Sequence, residues 1–589
     1  MALFTPSASP AVTVKEIDLT GVVPNVQTST GAFVGNFGWG PVAEVTLVSD
    51  ESGLVSRFSA PTDDNTVDFH SAAYFLRYSN SLQVVREVDS DAKNAFAVNS
   101  NLGSISAQQL GNLDAFEAAT ISDSDGSFIA KYPGDLGNSL QVSYCAVVDS
   151  DNGGTLAFDN WTYKDKFDAA PGSSKFVSDL GGKNDEMHVV VIDQDGAITG
   201  TAGEVLETFP FLSVAKNAKR SDGTSNYYKD VLKLQSDWIY AGDFFIGDSA
   251  GVSDVAGSNW GSNATTSGED FKAAGPSVSA QTVSLSGGVS SSTLGTDDIL
   301  RGFDKFEDKD AVEIDFLIAP EQLTDTPAKT VVNDLVSTAS SLRKDCVVVA
   351  SPSRNAVVTV GTNAAVLTCN NEYTKSSYLI HDNNYIKVFD KYNDKYIKIP
   401  AASSTAGLMA ATDLVAAPWF SPAGARRGRY LGVTDIVLSP SKAERDALYK
   451  AGINPIANIP GQGIMLFGDK TNESRPSAFD RINVRRLFLG IERAIAVAGR
   501  NVMFEFNDEF TRAEFVNIVE PFLREIKGRR GITDFRVVCD ATNNTPAVVD
   551  RNEFVASIFI KPARSINYVT LNFVAVRTGV EFEEVVGTV

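Results

Sequence analysis

Cysteine is scarce in this chain of 589 residues, and the few that occur form no pattern. Cys145, Cys346, Cys369 and Cys539 stand far apart in the sequence. A disulfide framework or a zinc site needs cysteines at short, repeated intervals. The sequence therefore predicts four buried, reduced thiols and excludes a small disulfide-bonded scaffold.

Motifs of the common enzyme classes are also missing. His70, His188 and His381 share no ligand spacing with one another or with the cysteines, which predicts ordinary structural histidines. The stretch Gly181–Asn184 lacks the first glycine and the hydroxyl residue of a nucleotide-binding loop, and no Gly-x-Ser-x-Gly elbow occurs. Ser122–Gly126 resembles a calcium loop, but an isoleucine occupies its first ligand position. We expect no cofactor, no metal and no catalytic activity.

Long apolar runs and excess positive charge are absent as well. No run approaches the roughly 20 apolar residues of a membrane span, and the chain does not begin with the basic and apolar segments of a secretory signal. The net charge is −22, which repels the phosphates of nucleic acids. We expect a protein made in the cytoplasm that neither inserts into a membrane nor binds DNA directly.

The acidity is unevenly distributed along the chain. Residues 421–589 contain 18 arginines and 5 lysines against 20 acidic residues, so the negative charge lies almost entirely before them. Arginine suits paired, partly buried contacts with carboxylates better than lysine does. This composition favours an interface in the C-terminal part.

Both ends of the chain carry a short strand-like run that stands apart from the rest. We interpret residues 1–20 as an N-terminal arm and residues 578–589 as a C-terminal arm. Their apolar positions are Val12, Val14 and Ile17 in the first arm, and Val580, Phe582 and Val585 in the second. Each run either pairs with another chain or folds back within its own.

Between the arms the sequence predicts a mixed α/β domain formed by residues 21–94 and 301–440. Its predicted elements are a helix at Phe69–Tyr78, a strand at Leu82–Val88, a strand at Ala311–Ala319, a helix at Lys329–Ser341 and a strand at Cys346–Ala350. The last three follow one another as strand, helix and strand, which predicts a βαβ unit.

Two β-rich insertions are predicted inside this domain, at residues 95–180 and 181–300. Short apolar runs such as Ser139–Val148 and His188–Asp193 are separated by turn residues. Residues 251–296 are rich in glycine, serine and threonine, which predicts a mobile outer loop or hairpin.

Residues 441–577 are predicted to form an α+β domain. Apolar residues recur at helical spacing from Val484 to Ala498, and a second helix is predicted from Thr511 to Lys527 after an acidic start. Strands are predicted at Phe535–Cys539, Phe554–Ile560 and Ile566–Val576.

Short motifs along most of the chain occur together in one order. They are Ala130–Gly134, Pro171–Ser174, Asp193–Gly196, Ala417–Gly424, Pro460–Gly463, Ile482–Leu487, Asn543–Thr545 and Ile560–Pro562. Each is weak alone, but together they resemble the contractile tail sheath proteins of myophages, a family shared in part with R-type bacteriocins and related injection machines. The segment Ile482–Leu487 carries the best single match.

The resemblance implies a fold and a function. The fold class is mixed α+β and multidomain, with a C-terminal domain facing an inner tube, a central α/β domain, β-rich insertions facing outward, and arms that add strands to neighbouring subunits. The implied function is structural: hexameric discs stack helically around a tail tube and contract, which drives the tube through the host envelope for genome delivery. The implied partners are the tube, baseplate and tail terminator proteins, in a virion tail assembled in the host cytoplasm.

Four arginines of the first C-terminal helix are candidates for contact with the tube. Arg485, Arg486, Arg493 and Arg500 lie mostly off the predicted apolar face, where they could meet an acidic partner. Solvated or intrachain ion pairs are the equally weighted alternative.

Two other function classes stay open at this stage. The acidic, Ser/Gly-rich insertions are compatible with a β-rich adhesin or polysaccharide-binding protein of the virion. An enzyme acting on host glycans would need two carboxylates across a cleft, and sequence alone cannot locate such a pair.

Overall fold

The computed structural model of the chain describes residues 29–97, 108–121, 127–147, 158–242, 261–266, 270–271 and 280–567. The chain divides into two units. The larger unit holds Val26–Pro418 and Pro422–Arg485, and the smaller unit holds Met1–Asn25, Trp419–Ser421 and Arg486–Val589.

Runs of buried apolar residues build a seven-stranded central sheet in the larger unit. Its strands are β1 (Gly31–Gly35), β2 (Val45–Val48), β3 (Leu82–Arg86), β11 (Phe316–Ile318), β12 (Val347–Ala350), β13 (Leu379–Asp382) and β17 (Ile453–Asn454). They lie in the order β17-β13-β12-β11-β1-β3-β2, and all pairs are parallel except the one at β2. Strands buried on both faces are continuous apolar runs, as β12 is.

Helices cover both faces of the central sheet. The helices are α1 (Glu51–Phe58), α2 (Thr66–Leu76) and α9 (Ala402–Val415) on one face, and α6 (Thr296–Asp304), α7 (Asp325–Ser337) and α8 (Asn363–Glu372) on the other. Along β1, Gly31 lies against Phe75 of α2, whereas Val34 lies against Gly302 of α6. The predicted βαβ unit is confirmed, because α7 connects the parallel strands β11 and β12.

A second seven-stranded sheet, here called the outer sheet, is antiparallel and contains strands from both predicted insertions. Its strands are β4 (Phe96–Ala97), β5 (Phe128–Ala130), β6 (Leu140–Ala146), β7 (Glu186–Asp193), β8 (Glu204–Ser213), β9 (Ile239–Ala241) and β10 (Ala280–Ser286), in the order β8-β7-β6-β10-β4-β5-β9. Helices α3 (Leu113–Ala118), α4 (Lys175–Asp179) and α5 (Tyr228–Gln235) accompany it. The separation of residues 95–180 from 181–300 does not hold here, since β6 and β7 pair along their length.

Strand β10 corrects part of the prediction of a mobile outer loop or hairpin at residues 251–296, of which residues 251–260, 267–269 and 272–279 lie outside the described ranges. It pairs with both β6 and β4, so Ala280–Ser286 is a central strand of the outer sheet. Val283 and Leu285 point into the core, and serine and threonine occupy the alternate positions. The low apolar content misled the prediction, because a strand covered on one face needs apolar residues only at every second position.

Residues 441–485 also differ from their predicted assignment to the C-terminal domain. They belong to the larger unit, because β17 pairs with β13 at the edge of the central sheet. This region also contains α10 (Lys442–Lys450), β18 (Ile456–Ile459) and β19 (Gly463–Leu466). Earlier in the larger unit lie β14 (Tyr385–Asp390), β15 (Lys395–Pro400) and β16 (Asp435–Ile436). Strands β15, β14 and β16 form one small sheet, and β18 and β19 form a hairpin.

The smaller unit packs helices against a two-stranded antiparallel sheet. Its elements are most of α11 (Ile482–Arg500), α12 (Glu509–Gly528), α13 (Pro546–Val549), β20 (Ile532–Val538) and β21 (Ser557–Pro562). The predicted helices and the first two predicted strands are present. The Asp508 carboxylate caps α12 by accepting a hydrogen bond from the Thr511 amide at 2.8 Å.

Several predicted segments lie outside the described residues. These are the two arms, with Val12, Val14, Ile17, Val580, Phe582 and Val585, and most of the strand predicted at Ile566–Val576. Within the described ranges, no helix is both long and apolar enough to cross a membrane.

Candidate functional site

The histidines are buried and engaged inside the larger unit. His188 Nε2 donates to the Ala169 carbonyl at 2.9 Å, and its Nδ1 accepts from the Phe211 amide at 3.0 Å, which requires the neutral ring. Burial lowers the pKa of His188. His381 Nδ1 lies 2.9 Å from Asn370 Oδ1, and burial lowers the pKa of His381 to about 3. These rings stabilise packing and are shielded from solvent.

Two buried carboxyl groups have opposite environments: Asp382, which follows His381 in the sequence, and Asp390, whose Oδ1 lies 3.1 Å from His70 Nε2. Burial raises the pKa of Asp382 to about 7, although its carboxyl oxygens accept hydrogen bonds from Ser351 and Thr405. Asp390 instead has a pKa below its usual range despite its burial, because hydrogen bonds from donors such as the Asn393 side chain stabilise the anion. Hydrogen bonds to neighbouring side chains therefore hold both carboxyl groups in the packed interior.

The carboxyl edge of the central sheet is where α/β folds usually bind ligands, at the point where the strand order reverses. That point lies between β1 and β11. There the backbone N–H of Asn36 donates a hydrogen bond to the Asp68 carboxylate at 2.8 Å. The Arg354 guanidinium forms a salt bridge with the Glu321 carboxylate at 2.7 Å. In the part of the chain that the structure describes, no group of three or more His, Cys, Asp or Glu residues is arranged to hold a metal ion.

The smaller unit displays a concentrated apolar surface, which we call the phenylalanine loop (residues 503–510). The side chains of Met503, Phe504, Phe506 and Phe510 are all exposed, and Phe504 is fully so. Phe504 also has a left-handed backbone with φ 71°, which is costly for an aromatic residue. Exposed apolar residues concentrated in this way indicate an interaction surface.

Hydrogen bonds from Asn507 hold this loop in place. Its side-chain amide donates to the Glu553 carbonyl at 2.8 Å and to Asn544 at 3.2 Å, and its side-chain oxygen accepts from Arg512 at 2.8 Å. The loop is therefore anchored at its centre while its phenylalanines remain outside the core.

A cavity of about 1110 Å³ lies beside the phenylalanine loop. Its lining is mainly apolar and comes from α11, the loop and β21, with Phe488, Ile491, Ile495, Phe506, Ile558 and Ile560 among the contributors. A cavity of this size with apolar walls favours the burial of several apolar side chains.

The two-stranded sheet bordering this cavity has open edges. Among the described residues, β20 and β21 pair only with each other, so each has one edge whose backbone groups are not paired in a ladder. Phe559 of β21 is 61% exposed on the face away from the helices. Open edges of this kind accept an added strand from another chain.

The four candidate arginines are not gathered on one exposed surface. Arg485 is buried, with its guanidinium carbon 4.0 Å from the Phe479 ring centre and 4.3 Å from the Tyr378 ring centre, and it donates to Ser377. By its helical spacing Arg485 lies off the apolar face of α11, but it is buried all the same because rings from other segments cover it.

The exposure of the other three arginines increases along α11 toward its C-terminal end. Arg486 is also buried, whereas Arg493 is half-buried and Arg500 is exposed. Only the C-terminal half of α11 therefore presents arginine to solvent.

Sequence reasoning missed the phenylalanine loop. The signal was available, since Met503, Phe504, Phe506 and Phe510 are interspersed with acidic residues immediately after a helix, at spacings that fit neither a helix face nor a strand. The cavity could not have been foreseen, because its walls come from segments far apart in the sequence.

Two family descriptions match the chain. The phage tail sheath protein central domain matches residues 292–472, and the phage tail sheath C-terminal domain matches residues 474–575. The boundary between these matches lies well after residue 441, as does the boundary between the two units.

Relatives match over nearly the whole length. The tail sheath protein of Vibrio phage KVP40 is 32% identical over 98% of this chain and 99% of its own length, and that of Enterobacteria phage T4 is 31% identical over the same shares. The crystal structure of the sheath tail protein from Listeria innocua shares the fold, with a TM-score of 0.52 and 12% identity over 91% of this chain and 96% of that chain. The chain therefore belongs to the phage tail sheath protein family, as a structural subunit of the tail sheath.

Proposed function

We propose that this chain is the subunit of a contractile sheath, assembled in the host cytoplasm and located in the virion tail. Hexameric discs stack helically around the tail tube, between the baseplate and the tail terminator, and contraction drives the tube through the host envelope. The observation that supports this proposal is the open-edged sheet of β20 and β21 beside an apolar cavity.

The terminal arms of neighbouring copies are the proposed occupants of these edges. An incoming strand would pair its backbone groups with an edge and turn alternate side chains toward the cavity. Val12 and Val14 provide such apolar side chains at one end of the chain, as do Val580 and Phe582 at the other, whereas Ile17 and Val585 would point to the opposite face of a regular strand. Strand pairing keeps subunits connected while their bodies move.

The work of contraction would be stored in the assembly itself. An extended lattice is held by a kinetic barrier and relaxes to a lattice that buries more surface between subunits. Such a mechanism needs neither a nucleotide nor a cofactor.

Removing either arm is expected to abolish assembly. The full chain, a variant lacking residues 1–20 and a variant lacking residues 578–589 would each be incubated with the tube protein and imaged by negative-stain electron microscopy. The full chain should form wide striated tubes, and both deletions should leave isolated particles, because the sheet edges then have no incoming strand.

Two matched double variants of the full-length chain test whether the apolar face of the arm is needed for assembly, as opposed to the length of the arm alone. Val12→Ser with Val14→Ser removes the apolar face of the arm, while Thr13→Ser with Lys15→Ser alters the alternate positions. The first pair should prevent tubes and the second should not. Compact particles from the full chain under every condition would instead favour the adhesin interpretation.

Arg493 and Arg500 remain the candidates for contact with an acidic tube surface, since Arg485 and Arg486 are buried. Charge reversal in Arg493→Glu with Arg500→Glu is expected to reduce tube-templated assembly by about tenfold at low salt, because like charges would then face each other. Sedimentation of the sheath with preformed tubes measures this. Unchanged templating would leave these arginines with a purely intrachain role.

A further inference from the structure

The hairpin of β14 and β15 displays an aromatic pair on its outer face. Phe389 and Tyr396 are opposite each other in the register, 42% and 57% exposed, with ring centres 5.3 Å apart. Their neighbours Ile386 and Ile397 point the other way, toward the core. Side chains along this hairpin therefore alternate between the core and the solvent, and the aromatic pair lies on the solvent side.

Lysines flank this aromatic pair. Lys387 and Lys398 are opposite each other on the same outer face, and Lys387 Nζ lies 5.0 Å from the Tyr396 ring centre. We call Lys387, Phe389, Tyr396 and Lys398 the hairpin face. The turn lysines of this hairpin are paired with carboxylates, but within the described ranges neither Lys387 nor Lys398 forms an ion pair.

An acidic cluster lies on α6, α7 and the segment after α6. We call Asp304, Glu307 and Asp334 the acidic face. Burial and the neighbouring charges raise the pKa of Glu307, and burial with the charge of Asp304 raises the pKa of Asp334. In the described part of the chain, none of the three forms an ion pair, and their charges repel one another.

These two faces lie on opposite sides of the central sheet. The hairpin packs on α2, through contacts of β15 with that helix, and α2 covers one face of the sheet. The acidic face is built on α6 and α7, which cover the other. The larger unit therefore carries the lysines of the hairpin face on one side of the central sheet, where Asp435 of β16 is the register partner of Lys387, and the three carboxylates on the other side. Contacts between two different patches generate rings or open helices, as opposed to closed twofold dimers.

We propose that the hairpin face of one copy binds the acidic face of the next copy, with Lys387 and Lys398 opposite Asp304, Glu307 and Asp334. Phe389 and Tyr396 are covered in this contact and supply its apolar area. The inference rests on the proposed function, because it adds a contact between subunit bodies to a polymer whose members the arms connect.

A charge swap tests this contact. Lys387→Glu with Lys398→Glu reverses the hairpin face, and Asp304→Lys with Glu307→Lys reverses the acidic face. Each pair alone should raise the concentration needed for polymerisation with the tube protein about tenfold at about 50 mM salt, measured by sedimentation. The four substitutions in one chain should restore polymerisation to within about twofold of wild type, since opposite charges meet again.

The control is Lys216→Glu with Lys219→Glu. These two lysines are exposed and lie outside the hairpin face, and the control changes the net charge by the same amount as Lys387→Glu with Lys398→Glu. It should polymerise like wild type, and all differences should shrink at about 500 mM salt. Matching thermal midpoints check that the variants fold. The inference is overturned if single reversals have no effect or if the combined chain is not restored. A wild-type chain that never polymerises contradicts the proposed function itself.

Discussion

Replacing Arg86 by methionine is expected to lower the free energy of unfolding of the larger unit by about 3–5 kcal/mol. The guanidinium is buried and donates to the carbonyl oxygens of Phe37 at 2.8 Å, Gly40 at 2.7 Å and Pro133 at 2.6 Å. Methionine fills much of the same volume but leaves three acceptors without donors. Chemical denaturation followed by circular dichroism measures the loss.

The control for this prediction is Arg57→Met. Arg57 is exposed on α1, so the change should cost less than about 0.5 kcal/mol. Lysine at position 86 should recover little of the loss, since one ammonium cannot reach carbonyls arranged around a planar guanidinium. Equal stabilities of Arg86→Met and Arg57→Met would show that the three hydrogen bonds contribute nothing net.

Replacing Gly407 by alanine is expected to destabilise the larger unit by about 2–3 kcal/mol, although alanine is the better helix former. A β-carbon at this position of α9 would lie 2.8 Å from Cγ of Tyr78. Tyr78 cannot withdraw easily, because its hydroxyl accepts a hydrogen bond from the Leu431 amide at 2.6 Å. The thermal midpoint should fall accordingly.

Gly490→Ala is the matched control with the opposite sign. Gly490 lies within α11, and a β-carbon at this position would meet no heavy atom of the described residues within 4 Å beyond its own helix. Alanine there should stabilise the smaller unit by up to about 1 kcal/mol, through helix propensity alone. A destabilising effect at both positions would indicate that the surroundings of Gly490 are closer than these distances imply.

The local elements of this fold could be predicted because their signals are local. The helix predicted from Val484 to Ala498 is observed as Ile482–Arg500, and the one from Thr511 to Lys527 as Glu509–Gly528. Both have a repeating apolar face, and the second has a capping aspartate. The βαβ unit was equally accessible, because its three elements follow one another directly.

The long-range pairings could not be predicted from the sequence. Strand β10 lies between β6 and β4, although both are more than a hundred residues earlier in the chain. The composition of Ala280–Ser286 does not indicate which strands it pairs with. Sheet register depends on which faces are buried, and that is decided only when all the strands assemble.

The same distinction between local and long-range features applies to the candidate site. The arms were predicted to be strands from the alternation at Val12 and Val14, and their use between subunits was implied by the family resemblance. Both stay predictions, because the arms lie outside the described residues. The burial of Arg485 depends on Tyr378, more than a hundred positions away. Charge and helical spacing alone could not anticipate that contact.

Within the larger unit, the chain enters and leaves the outer sheet at one place. Lys93 and Val289 exchange two backbone hydrogen bonds of 3.0 Å, so the first and last parts of the insertion lie side by side. A segment whose ends meet can be shortened, exchanged or replaced by a compact foreign domain without stretching the strands that remain. This junction makes the outer sheet a replaceable module, and Lys93 and Val289 mark where a graft of another domain would be joined.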